Sequence, residues 1–429
     1  PAPKTRAETV TTTHSFVADY YENDSGADRK GSITFSNRPY GITVTLGVRQ
    51  SPVVPDTPTE PGIATGADLV AFAKAVIPDT PTDPGIATGA DLVAFAKAVN
   101  AGGSTSRWEN ASGEVVLLND IDLTELTEWT PIGQGKATGS PSYNTLTNPF
   151  TGVFDGQGFT IKGIRWTFNV ENETTHLHGL FGAIKDATIK NLKLGAAGDQ
   201  ITLVGTSQNV VSAGALAGYA EGSTIVNVTN NVSVILTGDN PDATLMMLAG
   251  IAGCIKSTTI GGETKDDAVI NNGDVKTGRI TNTANGGTGM NIGGICAFTL
   301  GAGTKLNYCT NNGEISAPTG RGGGLVGTLG GSTTEENGTV IANSTNNGTI
   351  QDDAIGQYGG SKDYYNYKRM GGLVGGTVTN NNLRIEYCTN NGNVFSQLGC
   401  RTGGFVGHNQ ATIVGCVNKG TILANITYA

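Results

Sequence analysis

Residues 351–370 bring together the side chains of this sequence that are best suited to contacting a ligand. The segment holds four of the 12 tyrosines of the chain, and each tyrosine offers a flat apolar face and a hydroxyl group. This composition predicts contact with a sugar or a protein, and the alternative is a loop that folds its tyrosines onto the side of the domain. The candidate ligand-binding residues are Tyr358, Tyr364, Tyr365, Tyr367, Lys362, Asp363 and Arg369.

Three pairs of adjacent acidic residues are the other candidates for chemistry. Glycoside-cleaving enzymes need convergent carboxyl groups, whereas neighbouring residues on a strand point to opposite faces. We therefore expect solvated acidic loops at these pairs rather than a catalytic dyad or calcium ligands, and no catalytic residue is predicted. The pairs are Asp266–Asp267, Glu335–Glu336 and Asp352–Asp353.

Histidine and cysteine do not form a metal-binding pattern. The four histidines are scattered, and the two that lie close together, His176 and His178, are expected on an exposed loop. The six cysteines form no C-x-x-C motif and no zinc-type spacing with histidine. We interpret them as small buried side chains, although an even number would also permit disulfides. The sequence therefore predicts no metal site and no cofactor.

The composition of the 429 residues excludes several classes of protein. A net charge of −9 argues against a nucleic-acid partner, whose binders carry a basic surface. No run of about 18 apolar residues is present, so no transmembrane segment is predicted. Glycine is the outlier, with 64 residues, or roughly twice its usual share. With 37% hydrophobic residues the chain can still bury a core.

The chain divides into three zones, residues 1–52, 53–100 and 101–429. In the first zone, residues 31–36 and 42–46 alternate apolar and polar side chains, which predicts a β-hairpin. The second zone is a Pro/Thr-rich linker in which residues 55–76 recur as 78–99 with a single change. Each copy offers a helix with a capping box, Thr65 with Asp68 or Thr88 with Asp91. We expect one of these helices to cap the domain that follows.

The third zone is built from a repeat of about 30 residues with insertions. A Gly-apolar-x-Gly element is followed by an Asn-Asn-Gly element, as in 324–327 and 346–348, or 372–375 and 390–392. Short β-type runs lie between them, so each unit must stack on its neighbours to bury its apolar face. The repeat predicts a right-handed parallel β-helix in which the first Asn of each corner forms one column and Cys309, Ser344, Cys388 and Cys416 form another. Asn and Gly at the corners predict a left-handed backbone there.

The Gly-Leu-Val-Gly and Cys-Thr-Asn-Asn-Gly sequences resemble GLUG-motif repeats, and the resemblance covers roughly residues 85–429. Residues 20–50 look like the latter half of a BACON domain, an immunoglobulin-like module. The resemblance implies a secreted or outer-membrane surface protein of Bacteroidetes type that takes part in adhesion or contacts a host or dietary glycan or a surface protein. A structural stalk and a polysaccharide lyase or hydrolase remain the alternatives.

Overall fold

A computed structural model describes most of the repeat zone and short stretches before it. The described residues are 84–136, 145–171, 176–205, 210–237, 245–277, 290–317, 320–331, 338–352, 368–378, 382–396 and 401–424, with the backbone of four strands before residue 51. The chain forms two compact units, residues 1–84 and 85–429. The first of the two duplicated helices lies outside the described residues.

The first unit contains the predicted hairpin. Strands Arg29–Asn37 and Ile42–Gln50 pair antiparallel along their whole length, and Glu8–Thr9 pairs with Val17–Ala18. The alternation of side chains in the sequence therefore located this hairpin correctly. Its assignment to an immunoglobulin-like module stays a prediction.

One helix, Gly89–Asn100 (α1), closes the beginning of the second unit. Thr88 and Asp91 form the predicted capping box, with Asp91 N donating to Thr88 Oγ1 at 3.1 Å. Leu92 and Phe95 on its inner face are fully buried. The Phe95 ring meets Phe150 and Phe154 at centroid distances of 5.7 and 6.1 Å, so the helix covers the first turn of the solenoid. The capping helix was predicted, and it lies within the second unit.

Each turn of the solenoid passes through four parallel sheets, which we number in the order the chain visits them. Sheets 1 and 2 meet at the Gly-apolar-x-Gly elements. The strands of sheet 1 are Leu177–His178, Val210–Gly214, Leu245–Ala249, Met290–Gly293, Arg321–Gly323, Arg369–Gly371 and Arg401–Gly403. Those of sheet 2 are Phe181–Lys185, Ala217–Glu221, Ala252–Lys256, Cys296–Leu300, Val326–Leu329, Val374–Thr377 and Val406–His408.

Sheets 3 and 4 complete each turn. Sheet 3 has 16 strands: Glu114–Val116, Ile121–Asp122, Val153–Asp155, Thr160–Lys162, Thr188–Leu194, Thr224–Asn230, Thr259–Ile260, Val269–Asn271, Lys305–Asn307, Cys309–Asn311, Thr339–Ala342, Thr345–Asn346, Leu383–Glu386, Thr389–Asn390, Thr412–Val414 and Val417–Asn418. Sheet 4 contains Arg165–Asn169, Gln200–Val204, Ser233–Leu236, Val275–Thr277, Ile315–Ser316, Ile350–Gln351, Val394–Ser396 and Ile422–Ala424. An antiparallel hairpin, Gln134–Lys136 with Thr145–Thr147, lies outside the four sheets. The predicted parallel solenoid is confirmed.

The two elements of the repeat pack against each other inside every turn. The inner Asn of each corner donates to the equivalent Asn one turn on, as from Asn311 Nδ2 to Asn346 Oδ1 at 2.9 Å. A Cβ on Gly324 would lie 2.2 Å from Cγ of Asn346, so only glycine leaves room for this side chain. A hydrogen-bonded column of these asparagines was predicted, and the structure shows in addition that all of them except Asn418 are fully buried. Its members are Asn230, Asn271, Asn311, Asn346, Asn390 and Asn418.

The left-handed corners lie three residues earlier than predicted. The backbone is left-handed at Asn227, Tyr308, Asn343 and Tyr387, not at the Asn-Asn-Gly elements. The glycine of that element is required for a different reason. Its neighbours stack so closely that a Cβ on Gly348 would lie 1.9 Å from the carbonyl oxygen of the glycine one turn before.

The cysteine column also points inward as predicted. Cys309, Ser344 and Cys388 are buried, and Cys416 is half-buried. Burial raises the pKa of the Cys309 thiol to about 12, which fits a structural rather than a reactive side chain. Cys296, Cys309, Cys388 and Cys416 are free thiols, and Cys400 lies outside the described residues. In the described part of the chain, no helix is both long and apolar enough to cross a bilayer.

Candidate functional site

Sheets 1 and 2 lie next to each other along the solenoid, and we call the strip between their facing side chains the trough. Its walls are two columns of side chains in register, one from each sheet. In the first turns the trough is filled by a buried apolar cluster that includes Leu177, Tyr219, Met247, Cys254 and Phe298. In the last three turns the character of the same positions changes from apolar to cationic.

Three arginines occupy the sheet 1 wall in the last three turns. Arg321, Arg369 and Arg401 pair in direct register on adjacent parallel strands, which lie about 4.8 Å apart. Their partners on the sheet 2 wall are Thr328, Gly376 and His408. We call Arg321, Arg369 and Arg401 the arginine column.

The side chains of the arginine column lie over the sheet 2 wall. Arg321 Nη1 donates to Thr328 Oγ1 at 3.1 Å. A Cβ on Gly376 would lie 2.9 Å from Cδ of Arg369 and 3.5 Å from Cδ of Arg321. Glycine at this position therefore gives the two arginine stems their space.

The charges of the arginine column are not neutralised within the described residues. None of the three forms an ion pair there, and the buried Nε atoms of Arg321 and Arg369 have no hydrogen-bond partner. Burial, together with the charge of Arg369, lowers the pKa of Arg321 to about 10. Burial and the three arginine charges likewise lower the pKa of His408. The trough therefore carries a positive field in its last turns.

Asn291 continues the same wall one turn before the arginines. It is 1% exposed and accepts a hydrogen bond from Thr328 Oγ1, while its Nδ2 lacks a partner in the described structure. A buried amide donor without an acceptor is uncommon, because leaving it unpaired costs about 1–3 kcal/mol. Asn291 and the arginine column together present several donors and few acceptors.

A buried ion pair anchors the Tyr-rich segment beside this column. Lys368 Nζ bonds to Asp352 Oδ2, and Ser396 Oγ donates to the same oxygen at 3.0 Å. The side chains of Asp352 and Lys368 are 0% and 6% exposed. Asp352 and Lys368 flank residues 353–367, which lie outside the described residues, and Lys368 stands one residue before Arg369. The prediction of a solvated loop at Asp352 was wrong, because this carboxylate is buried against a lysine.

Most of the predicted binding residues cannot be placed. Tyr358, Tyr364, Tyr365, Tyr367, Lys362 and Asp363 lie outside the described residues. Arg369 is described, and the structure brings it together with Arg321 and Arg401, which the sequence analysis did not single out. The signal was present in the sequence, because each arginine stands three residues before the Gly-apolar-x-Gly element of its unit.

Of the other predicted acidic pairs, only Asp266–Asp267 is described, and it lies in a short helix between two strands of sheet 3. Asp267 caps the short 3₁₀ helix Lys265–Asp267 by accepting from Thr264 Oγ1 at 2.9 Å. Asp353 and the pair Glu335–Glu336 lie outside the described residues. Within the described ranges, no group of three or more His, Cys, Asp or Glu side chains is placed to hold a metal ion.

The two neighbouring histidines are buried, so the prediction of an exposed loop was wrong. His176 and His178 are 6% and 2% exposed, and the His178 ring lies 4.6 Å from the Phe168 ring between centroids. Burial, with a smaller effect of His176, lowers the pKa of His178 to about 3. The sequence could not show this, because the burial comes from the packing of adjacent turns.

We expect His178 to make the solenoid less stable in mild acid. Its folded pKa lies below its ordinary value of 6.5, so its contribution is fully present above pH 6.5 and is lost as the pH falls towards 3. Between pH 7 and pH 5 this loss amounts to about 2 kcal/mol. Urea unfolding of the wild type and His178→Phe at both pH values measures it. An equal pH dependence in the two proteins would contradict this assignment.

Two solved structures show a weak similarity to this chain. The sequence matches no protein-family profile and no curated protein. A crystal structure of a proposed immunoglobulin A1 protease from Bacteroides ovatus is similar at a TM-score of 0.42 and 14% identity, over 79% of this chain and 83% of that one. A structure described as IgA1 protease is similar at a TM-score of 0.37 and 14% identity, over 96% of this chain. This chain spans 24% of the length of that second protein. The similarities are weak, and neither protein's activity carries over to this chain.

Proposed function

We propose that this chain is a non-enzymatic β-solenoid that binds a glycan or a surface protein. The observation that supports this most directly is the buried ion pair of Asp352 and Lys368, which joins the two residues on either side of 353–367. A segment whose two ends are held together loses less conformational entropy on binding than a segment whose ends are free. Arg369 follows Lys368 directly in the chain and brings the charged donors of the arginine column next to this pair.

The cellular setting is part of the proposal. The resemblance to GLUG-motif repeats supports a secreted protein or one on the outer-membrane surface of a bacterium, with host or dietary glycans and surface proteins as partners. A role as a structural stalk is the principal alternative, and it needs no ligand.

A glycan-array and mucin-binding screen on the intact chain tests the binding function. We expect the double variant Tyr364→Ala/Tyr365→Ala to lose at least about tenfold in affinity, because stacked aromatic side chains dominate such contacts. Tyr387→Asn is the matched control, since Tyr387 is 62% exposed on sheet 3 and asparagine occupies the equivalent left-handed position in other turns.

Two results would count against the proposal. Unchanged affinity in the double variant would remove the Tyr-rich segment from the binding site. Absence of binding to every glycan and mucin in the screen would favour the stalk.

A further inference from the structure

We propose that the arginine column binds the acidic groups of a linear glycan, with one carboxylate or sulfate held at each of three successive turns. This inference rests on the proposed binding function and names the chemical class of its ligand. It is carried by the alignment of Arg321, Arg369 and Arg401 on one wall of the trough.

The charges of the arginine column have no carboxylate partner within the described residues. Other lysines on the solenoid meet carboxylates, as Lys190 does with Glu114 at 2.7 Å and Lys256 with Glu221 at 3.2 Å. The chain has 36 acidic and 27 basic residues, so carboxylates are plentiful. Nevertheless, three like charges stand side by side without an ion pair among the described residues. An external anion would relieve their repulsion.

Three hydrogen-bond donors on the sheet 1 wall have no acceptor within the described residues. The Nε atoms of Arg321 and Arg369 and Nδ2 of Asn291 are buried and lack partners in the described structure. Asn291 is an amide rather than a charged group, and its unpaired donor is therefore independent of the charge argument. These donors lie along one wall, which suits an extended ligand better than a single ion.

The shape and the hydrogen-bonding groups of the arginine side chains suit acidic groups on a ligand. A guanidinium group offers donors in a planar fork that matches a carboxylate or a sulfate oxygen pair. The missing side chain at Gly376 makes room for the stems of Arg369 and Arg321, which lie over this glycine. A linear glycan with regularly spaced acidic groups suits a column whose arginines stand one turn apart.

Calorimetric titration with heparin tests the inference, with desulfated heparin and hyaluronan as the carboxylate-only arms and dextran as the neutral control. We expect Arg321→Gln/Arg369→Gln/Arg401→Gln to weaken heparin binding at least about tenfold. The control Arg165→Gln/Lys193→Gln/Arg384→Gln removes three exposed cations from sheets 3 and 4 and should change the affinity less than about twofold. If the first variant does not fold, Arg401→Gln alone, at the exposed end of the column, gives the same comparison on a smaller scale.

Three outcomes would overturn the inference. The wild type could fail to bind heparin, both triple variants could lose affinity equally, or a single-stranded oligonucleotide could bind more tightly than heparin. If heparin fails while mucin or a neutral glycan still binds through Tyr364 and Tyr365, the anionic ligand is wrong and the proposed binding function stands. Binding of hyaluronan as tight as that of heparin would assign the column to carboxylates, and loss on desulfation would assign it to sulfates.

Discussion

Replacing Asp352 by alanine should lower the free energy of unfolding by about 3–5 kcal/mol. The substitution removes the carboxylate that bonds to Lys368, whose side chain is only 6% exposed, and it also removes an acceptor of Ser396 Oγ. Water cannot easily replace the lost carboxylate, because Asp352 is fully enclosed. Equilibrium urea unfolding of the intact chain, followed by far-ultraviolet circular dichroism, measures the change.

Two further variants separate the buried charge from the lost packing. In Asp352→Leu/Lys368→Met both charges are replaced by apolar groups, and most of the stability should return. In Glu263→Ala the exposed Lys305–Glu263 pair is broken, and no measurable change is expected, because the Glu263 side chain is 82% exposed. If the double variant were as unstable as Asp352→Ala, the attraction between the two charges would itself stabilise the solenoid. The loss in Asp352→Ala would then not come only from leaving a buried charge without its partner.

The repeat could be predicted from the sequence because stacked turns require the same residue types at regular intervals. Each turn must place the same side chain at the same position of the column, so the inner Asn and the facing Gly recur together. The clash distance of 2.2 Å between a Cβ at Gly324 and Asn346 explains why the two elements are inseparable. The capping box at Thr88 and Asp91 was predictable for a similar reason, since it depends on residues close together in the chain.

The features that the sequence did not reveal depend on contacts between turns. Arg321, Arg369 and Arg401 are 48 and 32 positions apart, and in the sequence they share only their distance of three residues from the next Gly-apolar-x-Gly element. The register of sheet 1 brings them side by side. Insertions of unequal length hide that register from a search for fixed spacing. Asp352 and His178 were misjudged because burial was inferred from local polarity, although adjacent strands of the solenoid decide it.

Substitution in the inner column of asparagines should produce the second large loss of stability. Asn346→Ala should lower the free energy of unfolding by about 3 kcal/mol or more, because several buried groups lose partners at once. Asn346 Nδ2 donates to Gly348 O and to Asn390 Oδ1, both at 2.8 Å, and its Oδ1 accepts from Asn311 Nδ2 at 2.9 Å. Asn346→Asp keeps the shape but cannot donate, and it should be at least as damaging.

The adjacent Asn347 is the matched control, since it belongs to an exposed ladder of the same geometry. Its Nδ2 donates to Asn312 Oδ1 at 2.7 Å, and its Oδ1 accepts from Asn391 Nδ2 at 2.7 Å. Water can replace these bonds, so Asn347→Ala should cost much less than Asn346→Ala. Similar losses of unfolding free energy at Asn346 and Asn347 would mean that both columns stabilise the turns mainly through the cooperative alignment of their amides, whether buried or exposed. A large loss at Asn346 alone would show instead that burial makes the inner column essential, because an orphaned amide there cannot reach solvent.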